Sequence, residues 1–163
     1  MGQCPCYIFQ FADWTCKHTV RVVADAYFSN KSFIQPLLSR KTPIHVITKL
    51  KRNAVGYLDL KKPQTKKRGR PRKRGQKIKI VDLFKTEPIQ SISVCLYEKI
   101  RAIEVVAKDL WVLALDRKVR IVVTKLGSNV MALISTDITL NPTQIIAIYG
   151  SRFSIEIAII DMK

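Results

Sequence analysis

The sequence has no unbroken apolar run of about 18 residues or more, the length that a helix needs to cross a bilayer. It also lacks a basic amphipathic helix of the kind that lies on an acidic membrane surface. The first residues, Met1 to Phe9, lack the basic start and the apolar stretch of a secretory signal peptide. These absences predict a cytoplasmic protein without a membrane partner.

Cysteine is scarce and unevenly placed, with four residues in the chain. With no export signal, this pattern argues against a disulfide framework and predicts reduced thiols. Cys4, Cys6, Cys16 and His18 could be written as a zinc site. The single-residue gap between the first two cysteines is tighter than the usual spacing of a tetrahedral thiolate site, so we do not favour zinc.

Acidic residues are few: 12 Asp and Glu face 29 Lys and Arg, which gives a formal net charge of +17. Such an excess attracts a polyanion, because each Lys or Arg that neutralises a phosphate releases a counterion. Apolar residues still make up 47% of the 163 residues, enough for one modest buried core. The composition therefore favours a nucleic-acid-binding protein, and a ribosome-associated protein has only the charge in its favour.

Short β-branched runs and helical patterns alternate along the chain, which predicts a mixed α/β fold. Early strands are expected at 20–24, 44–50 and 54–58. A helix is expected within 30–40, where Pro36 marks a kink or the true start.

The second half of the chain reads as an antiparallel meander followed by a helix. Asn141 is the expected N-cap of that helix, Pro142 its first residue and Gln144 the capping-box partner. The helix is expected to continue to Lys163. The four meander strands are predicted at 89–97, 100–107, 119–124 and 130–135.

Residues 61–79 contain eleven Lys or Arg and no acidic residue. Prolines and glycines in this segment predict a loop without regular structure. Arg68-Gly-Arg-Pro71 resembles the core of an AT-hook, in which Gly and Pro let arginines enter a narrow minor groove. A generic polycationic loop on phosphates is the alternative, and both readings predict DNA contact. The candidate DNA-binding residues here are Lys66, Lys67, Arg68, Arg70, Arg72, Lys73 and Arg74.

The polar side chains of the last helix fall within one stripe when placed at about 100° per residue. They are Tyr149, Arg152, Glu156 and Lys163, and the remaining faces are apolar. One interpretation is an ion pair between Arg152 and Glu156 at the domain edge. The other is a metal-binding carboxylate beside groups that contact a phosphate backbone.

The spacing Tyr149-x2-Arg152-x3-Glu156-x6-Lys163 resembles the Tyr–Arg–Glu–Lys signature of bacterial insertion-sequence transposases with a DDE active site. Val22 to Phe28 is similar to the strand-end motif that carries the second catalytic Asp of that class, and residues 45–54 resemble the strand that follows. The resemblance covers the chain from about Val20 onward. It implies a partial RNase H-like fold interrupted by a β-rich antiparallel insertion.

The resemblance also implies roles for single residues. Asp25 and Glu156 would be catalytic residues and ligands of Mg²⁺ or Mn²⁺, and Tyr149, Arg152 and Lys163 would contact DNA. Asp137 is instead expected to be a turn or capping residue. The domain division that follows is an irregular segment at 1–17, the first part of the core at 18–60, the basic arm and insertion at 61–135, and the catalytic helix at 136–163.

The first catalytic Asp of such enzymes has no clear counterpart, because 24 residues precede Asp25 and their one acidic residue, Asp13, has no strand pattern around it. We therefore expect a C-terminal fragment that binds metal weakly and is inactive alone. The intact enzyme would cut transposon ends and join them to target DNA, near the nucleoid. The alternative function is a non-catalytic basic DNA-binding protein, or an inhibitor of a full-length transposase. An unpaired sheet edge would favour self-association or pairing with that transposase.

Overall fold

The structure is a computed structural model that describes residues 19–161, apart from 43, 52, 61–73, 97–98 and 127–128. Side chains are described for these residues except 95, 96, 99, 126 and 153–161. Two short 3₁₀ turns, Ala26–Phe28 and Ile80–Asp82, accompany the helices and strands. The regular elements are β1 (Arg21–Ala24), α1 (Lys31–Leu38), β2 (His45–Lys49), β3 (Val55–Tyr57), β4 (Lys77–Lys79), α2 (Leu83–Thr86), β5 (Gln90–Leu96), β6 (Lys99–Val112), β7 (Arg117–Leu126), β8 (Asn129–Ser135) and α3 (Pro142–Asp161).

One sheet contains all the strands of the described chain, and its order is β1-β2-β8-β7-β6-β3-β4, with β5 also paired to β6. Strands β1 and β2 are parallel, and the other pairings are antiparallel. Strands β5 to β8 form the expected meander. Since β8 pairs with β2, the meander extends the sheet that β1 and β2 begin, and the mixed α/β class is confirmed.

The core lies on both faces of this sheet. Successive residues of a strand point to opposite faces, so Val46 and Ile47 of β2 belong to different buried clusters. One cluster includes Ile34 of α1 and Leu83 of α2. The other includes Ile145 and Tyr149 of α3. The helices thus cover the two faces, and none in the described part of the chain is long and apolar enough to span a membrane.

Capping residues set where the two longer helices begin. The side chain of Asn30 accepts a hydrogen bond from the Phe33 amide at 2.9 Å, which starts α1 upstream of Pro36. Pro36 therefore lies inside α1 rather than at its start. At α3 the Gln144 amide donates to Asn141 Oδ1 at 2.8 Å, and the Asn141 amide donates to Gln144 Oε1 at 3.0 Å. The predicted capping box is confirmed.

The expectation that 61–79 lacks regular structure is wrong for its last residues. Lys77–Lys79 form β4, which pairs antiparallel with β3 so that Ile78 lies opposite Gly56. The apolar Ile78 between two exposed lysines is a short strand pattern that the surrounding charge obscured. Gly56 is required here, since a Cβ atom would lie 2.6 Å from Leu110 Cδ1. The 3₁₀ turn Ile80–Asp82 and the short helix α2 were also not predicted.

Candidate active site

Asp25 lies directly after β1, at the start of the turn Ala26–Phe28. Its Oδ1 accepts a hydrogen bond from the Ala26 amide at 2.8 Å, and the residue is exposed. Its backbone carbonyl accepts hydrogen bonds from the Phe28 amide at 3.0 Å and from Thr48 Oγ1 at 2.8 Å. These contacts fix the backbone of Asp25 while its carboxylate faces solvent.

Basic side chains lie at the end of the neighbouring strand β2, close to the end of β1. In the parallel register of β1 and β2, Ala24 lies beside Thr48. Asp25 is the next residue after Ala24, and Lys49 is the next residue after Thr48, so the two lie near each other at the ends of these strands. Lys49 and Lys51 are both exposed. The two cations and the carboxylate therefore lie at the carboxyl ends of adjacent strands, where an anionic backbone could be held beside Asp25.

Helix α3 packs against the sheet through a buried cluster that includes Tyr149. Tyr149 is 3% exposed and belongs to the same buried cluster as Ile145, with Val23 of β1 packed against that cluster. The guanidinium carbon of Arg152, which is half-buried, lies 5.7 Å from the Tyr149 ring centroid. Direct contact between the Tyr149 ring and DNA stays a prediction. The Tyr149 ring is buried and lies against the Arg152 guanidinium, so it helps to hold Arg152 in place.

Glu156 lies in α3, about 10.5 Å beyond Tyr149 along the helix axis. Its side chain and the whole of Lys163 lie outside the described residues. Helix α3 contacts both β1 and β2, the strands that end beside Asp25 and Lys49. Among the side chains that the structure describes, no group of three or more His, Cys, Asp or Glu is close enough to hold a metal ion.

Arg74 is held against the protein rather than projecting from it. It forms an ion pair with Asp116, and its guanidinium carbon lies 5.9 Å from the Trp111 ring centroid. The Gly75 amide donates to the Leu58 carbonyl at 2.9 Å, so the two ends of the basic segment meet beside the β6–β7 turn. The other candidate arm residues lie outside the described residues: Lys66, Lys67, Arg68, Arg70, Arg72 and Lys73.

Asp59 lies next to Leu58, where the two ends of the basic segment meet, and the sequence analysis did not identify it as a functional residue. Its carboxylate accepts hydrogen bonds from Lys118 and from Trp111 Nε1. The Lys118 hydrogen bond is the main cause that lowers the Asp59 pKa, and the Trp111 hydrogen bond adds to it. Trp111 thus contacts both Asp59, which precedes the basic segment, and Arg74, which lies inside that segment.

Asp137 lies at the opposite end of β1 from Asp25. Its Oδ1 accepts hydrogen bonds from the Thr139 amide at 3.0 Å and Thr139 Oγ1 at 2.6 Å, which confirms the expected turn residue. Its Oδ2 accepts two hydrogen bonds from Arg21, at 2.7 and 3.0 Å. Burial opposes ionisation, but the hydrogen bonds from Thr139 and Arg21 outweigh it and lower the Asp137 pKa.

The Arg21–Asp137 pair carried no sequence signal, because 116 positions separate the two residues. The Thr48 contact to the Asp25 carbonyl was missed for the same reason, since only the parallel register of β1 and β2 brings these residues together. The signal that did find Asp25 was local: a short β-branched run that ends abruptly at an acidic residue.

A family model described as DDE superfamily endonuclease matches residues 7–106, more than half of the chain. The matched residues include Asp25 and its turn and stop within β6, before α3. Neither curated proteins nor solved structures provide a match to this chain.

Proposed function

Because this chain belongs to the DDE superfamily endonucleases, whose members generally depend on divalent metal ions and act on DNA, we propose that it carries part of the active site of a DNA transposase. One observation carries the proposal. Asp25 is an exposed carboxylate whose backbone is fixed at the end of β1, inside the residues that match the family.

Asp25 and Glu156 are the proposed metal ligands. The Asp25 carboxylate suits a hard divalent cation, because it supplies oxygen donors and faces solvent. Mg²⁺ or Mn²⁺, when bound, would stabilise the negative charge that develops on a phosphate undergoing strand cleavage. The spacing of Tyr149, Arg152, Glu156 and Lys163 and the packing of α3 against β1 support Glu156 as the second carboxylate.

The remaining candidate residues hold DNA. Lys49, Lys51 and Arg152 would contact the phosphate backbone close to Asp25, with Tyr149 positioning Arg152 from the core. Lys163, the last residue of the signature, is a further proposed DNA contact. The arm residues from Lys66 to Lys73 would contact the phosphates or the minor groove of transposon-end or target DNA, as expected of a nucleoid-associated protein. Arg74, held by Asp116 and Trp111, would anchor the end of the arm.

Two carboxylates make a weak site for the pair of metal ions that such cleavage uses. We therefore expect this chain alone to bind Mn²⁺ weakly and to carry out no transposition. A full-length transposase or a second copy of the chain would be the partner that completes the reaction. In the sheet that the described residues form, β1 is an edge strand and offers a surface for pairing.

Iron-mediated backbone cleavage tests the metal site without requiring catalysis. Fe²⁺ with ascorbate and peroxide generates hydroxyl radicals that cut the polypeptide near the bound ion. We expect cuts close to residue 25 and within α3 in the presence of DNA, and we expect excess Mn²⁺ to suppress them. Asp25→Asn and Glu156→Gln should each remove the cuts.

Asp82→Asn is the matched control, since Asp82 is a partly exposed carboxylate on a different turn and should leave the cuts unchanged. Cuts that survive both active-site variants would contradict the proposed ligands. A parallel nicking assay with Mn²⁺ should give no product. Nicking that Glu156→Gln abolishes would support the site and overturn the expectation that the chain is inactive alone.

A non-catalytic DNA-binding protein, or an inhibitor that occupies transposon ends, is the second candidate, and the net charge of +17 favours it. A plain binder is indifferent to divalent metal and to Asp25. DNA affinity that is unchanged by Mn²⁺ and by Asp25→Asn, together with no iron-mediated cuts, would favour this candidate.

A further inference from the structure

An exposed aromatic cluster lies immediately beside Asp25. Tyr27 is 81% exposed and Phe28 is 40% exposed. Their ring centroids are 5.4 Å apart in an edge-to-face arrangement, and the Phe28 ring centroid lies 4.9 Å from that of Phe33. One exposed ring is common on protein surfaces, but two adjacent exposed rings in contact form an apolar patch, and such patches often mark binding sites.

The backbone beneath this cluster is held by hydrogen bonds. Ser29 Oγ donates to the Ala26 carbonyl at 2.7 Å, and Asn30 Nδ2 donates to the Tyr27 carbonyl at 3.0 Å. Phe33, which supports Phe28, is anchored at the start of α1 by its amide hydrogen bond to Asn30. The ring of Tyr27 is thus presented to solvent by a turn that is already ordered, which lowers the entropic cost of binding to it.

The charges around the cluster indicate which partner it fits. Lys31, Lys49 and Lys51 are exposed and flank the same turn and strand end. One residue, Ala26, lies between Asp25 and Tyr27, so the Cα atoms of these two residues are at most about 7 Å apart. An exposed aromatic ring with cations on neighbouring segments is an arrangement that binds single-stranded nucleic acid, in which bases stack on the ring and cations hold the phosphates.

We propose that Tyr27 is a stacking platform for an unpaired base of the DNA strand next to the scissile phosphate. The inference rests on the proposed function, because it assumes that DNA approaches Asp25. Stacking at this position would favour DNA whose strands are separated near the cut over fully paired duplex, since bases in a duplex are already stacked on each other.

The test compares affinities of the full chain for single-stranded and duplex oligonucleotides of the same sequence. Tyr27→Ala should weaken single-strand binding by about fivefold or more, the loss expected for one stacked base, and leave duplex binding nearly unchanged. Tyr27→Trp should bind the single strand at least as tightly as the unaltered chain. Leu113→Ala, at an exposed apolar residue on the β6–β7 turn, is the control and should change neither affinity.

A 2-aminopurine base gives a second readout, because its fluorescence is quenched on stacking. Quenching by the unaltered chain and by Tyr27→Trp, but not by Tyr27→Ala, is the expected pattern. Equal affinities for all variants, or equal losses on single strand and duplex, would overturn the platform while leaving DNA binding intact. A change in oligomeric state on Tyr27→Ala without a change in DNA affinity would assign the cluster to protein contact instead. No DNA binding by the unaltered chain would remove the proposed DNA-binding function and this inference together.

Discussion

Asp25 and Asp137 lie at opposite ends of β1, and their surroundings give them different chemistry. Asp25 uses one carboxylate oxygen to cap a turn and remains exposed. Asp137 is 5% exposed, and both of its oxygens accept hydrogen bonds from Thr139 and Arg21. A satisfied, buried carboxylate stabilises the fold, whereas an exposed one can bind a cation.

Asp137→Asn should therefore destabilise the protein. The substitution leaves Arg21 beside a neutral amide, and loss of a charged hydrogen-bonded partner at a largely buried position costs about 1–3 kcal/mol. Urea unfolding at pH 7 measures the change in the free energy of unfolding. Because the folded pKa of Asp137 is lowered, its contribution is present above the unfolded value of about 3.9 and is lost as pH falls through the folded pKa.

The pH dependence separates this ion pair from a general packing defect. The difference between Asp137→Asn and the unaltered protein should shrink as the pH falls below about 4. Asp116→Asn is the control, because its ion pair with Arg74 lies at the surface and should contribute less than about 1 kcal/mol. A difference that stays constant from pH 7 to pH 3 would contradict the electrostatic explanation.

At the scale of elements, α3 depends on its first turn for its position. The reciprocal hydrogen bonds of Asn141 and Gln144 satisfy two amides at the start of the helix. Arg120 Nη1 donates to the Leu140 carbonyl at 2.9 Å and ties that start to β7. The entry of α3 thus determines where Tyr149 and Arg152 lie relative to β1.

Asn141→Ala should lower the free energy of unfolding by about 1 kcal/mol, because an N-cap side chain is lost. Asn141→Asp should retain most of the stability, since a carboxylate accepts the same hydrogen bond and favours a helix N-terminus. Thermal unfolding followed by circular dichroism measures both variants. Equal losses for Ala and Asp would show that the cap contributes little here.

Local patterns in the sequence predicted most elements, and contacts distant in sequence explain what they missed. The strand Gln90–Leu96 and the capping box at Asn141 each depend on residues close together in sequence. The β-branched run and the capping residues therefore predicted them. Strand β4 was missed because it exists through pairing with β3 across the basic segment. In the site, Asp25 had a local signal, whereas the contact between Thr48 and the Asp25 carbonyl depends on the pairing of β1 with β2.

At the scale of the whole molecule, Asp25 and the two ends of the basic segment lie at opposite edges of the sheet that the described residues form. Asp25 follows β1 at one edge, and the basic segment joins β3 to β4 at the other. Six strand spacings of about 4.8 Å place these edges up to about 29 Å apart. Base pairs rise about 3.4 Å along a duplex, so the two regions would contact phosphates almost one helical turn apart. Affinity through the arm should therefore be separable from chemistry at Asp25.

Salt dependence measures the arm directly. Each phosphate that a cation neutralises contributes about 0.9 to the slope of log affinity against log salt concentration on duplex DNA. Replacing Arg68, Arg70 and Arg72 with alanine should reduce the slope by up to about 2.7 and weaken binding at low salt. Iron-mediated cuts near residue 25 should persist when enough DNA is present, because the metal ligands are unchanged.

A charge-matched control decides whether the arm acts as a site or only through net charge. Lys41, Lys85 and Lys125 are exposed lysines outside the basic segment, and changing them to alanine also lowers the net charge by three. If the arm contacts phosphates, the lysine variant should retain nearly the full slope of log affinity against log salt concentration. The arginine variant should show the reduced slope. Equal reductions in both variants would mean that DNA is bound mainly by long-range attraction to the net positive charge, and that the three arginines make no specific contact with phosphates. If the arginine variant loses affinity only for A·T-rich DNA, the result would favour minor-groove binding by Arg68-Gly-Arg-Pro71 over a generic contact with phosphates.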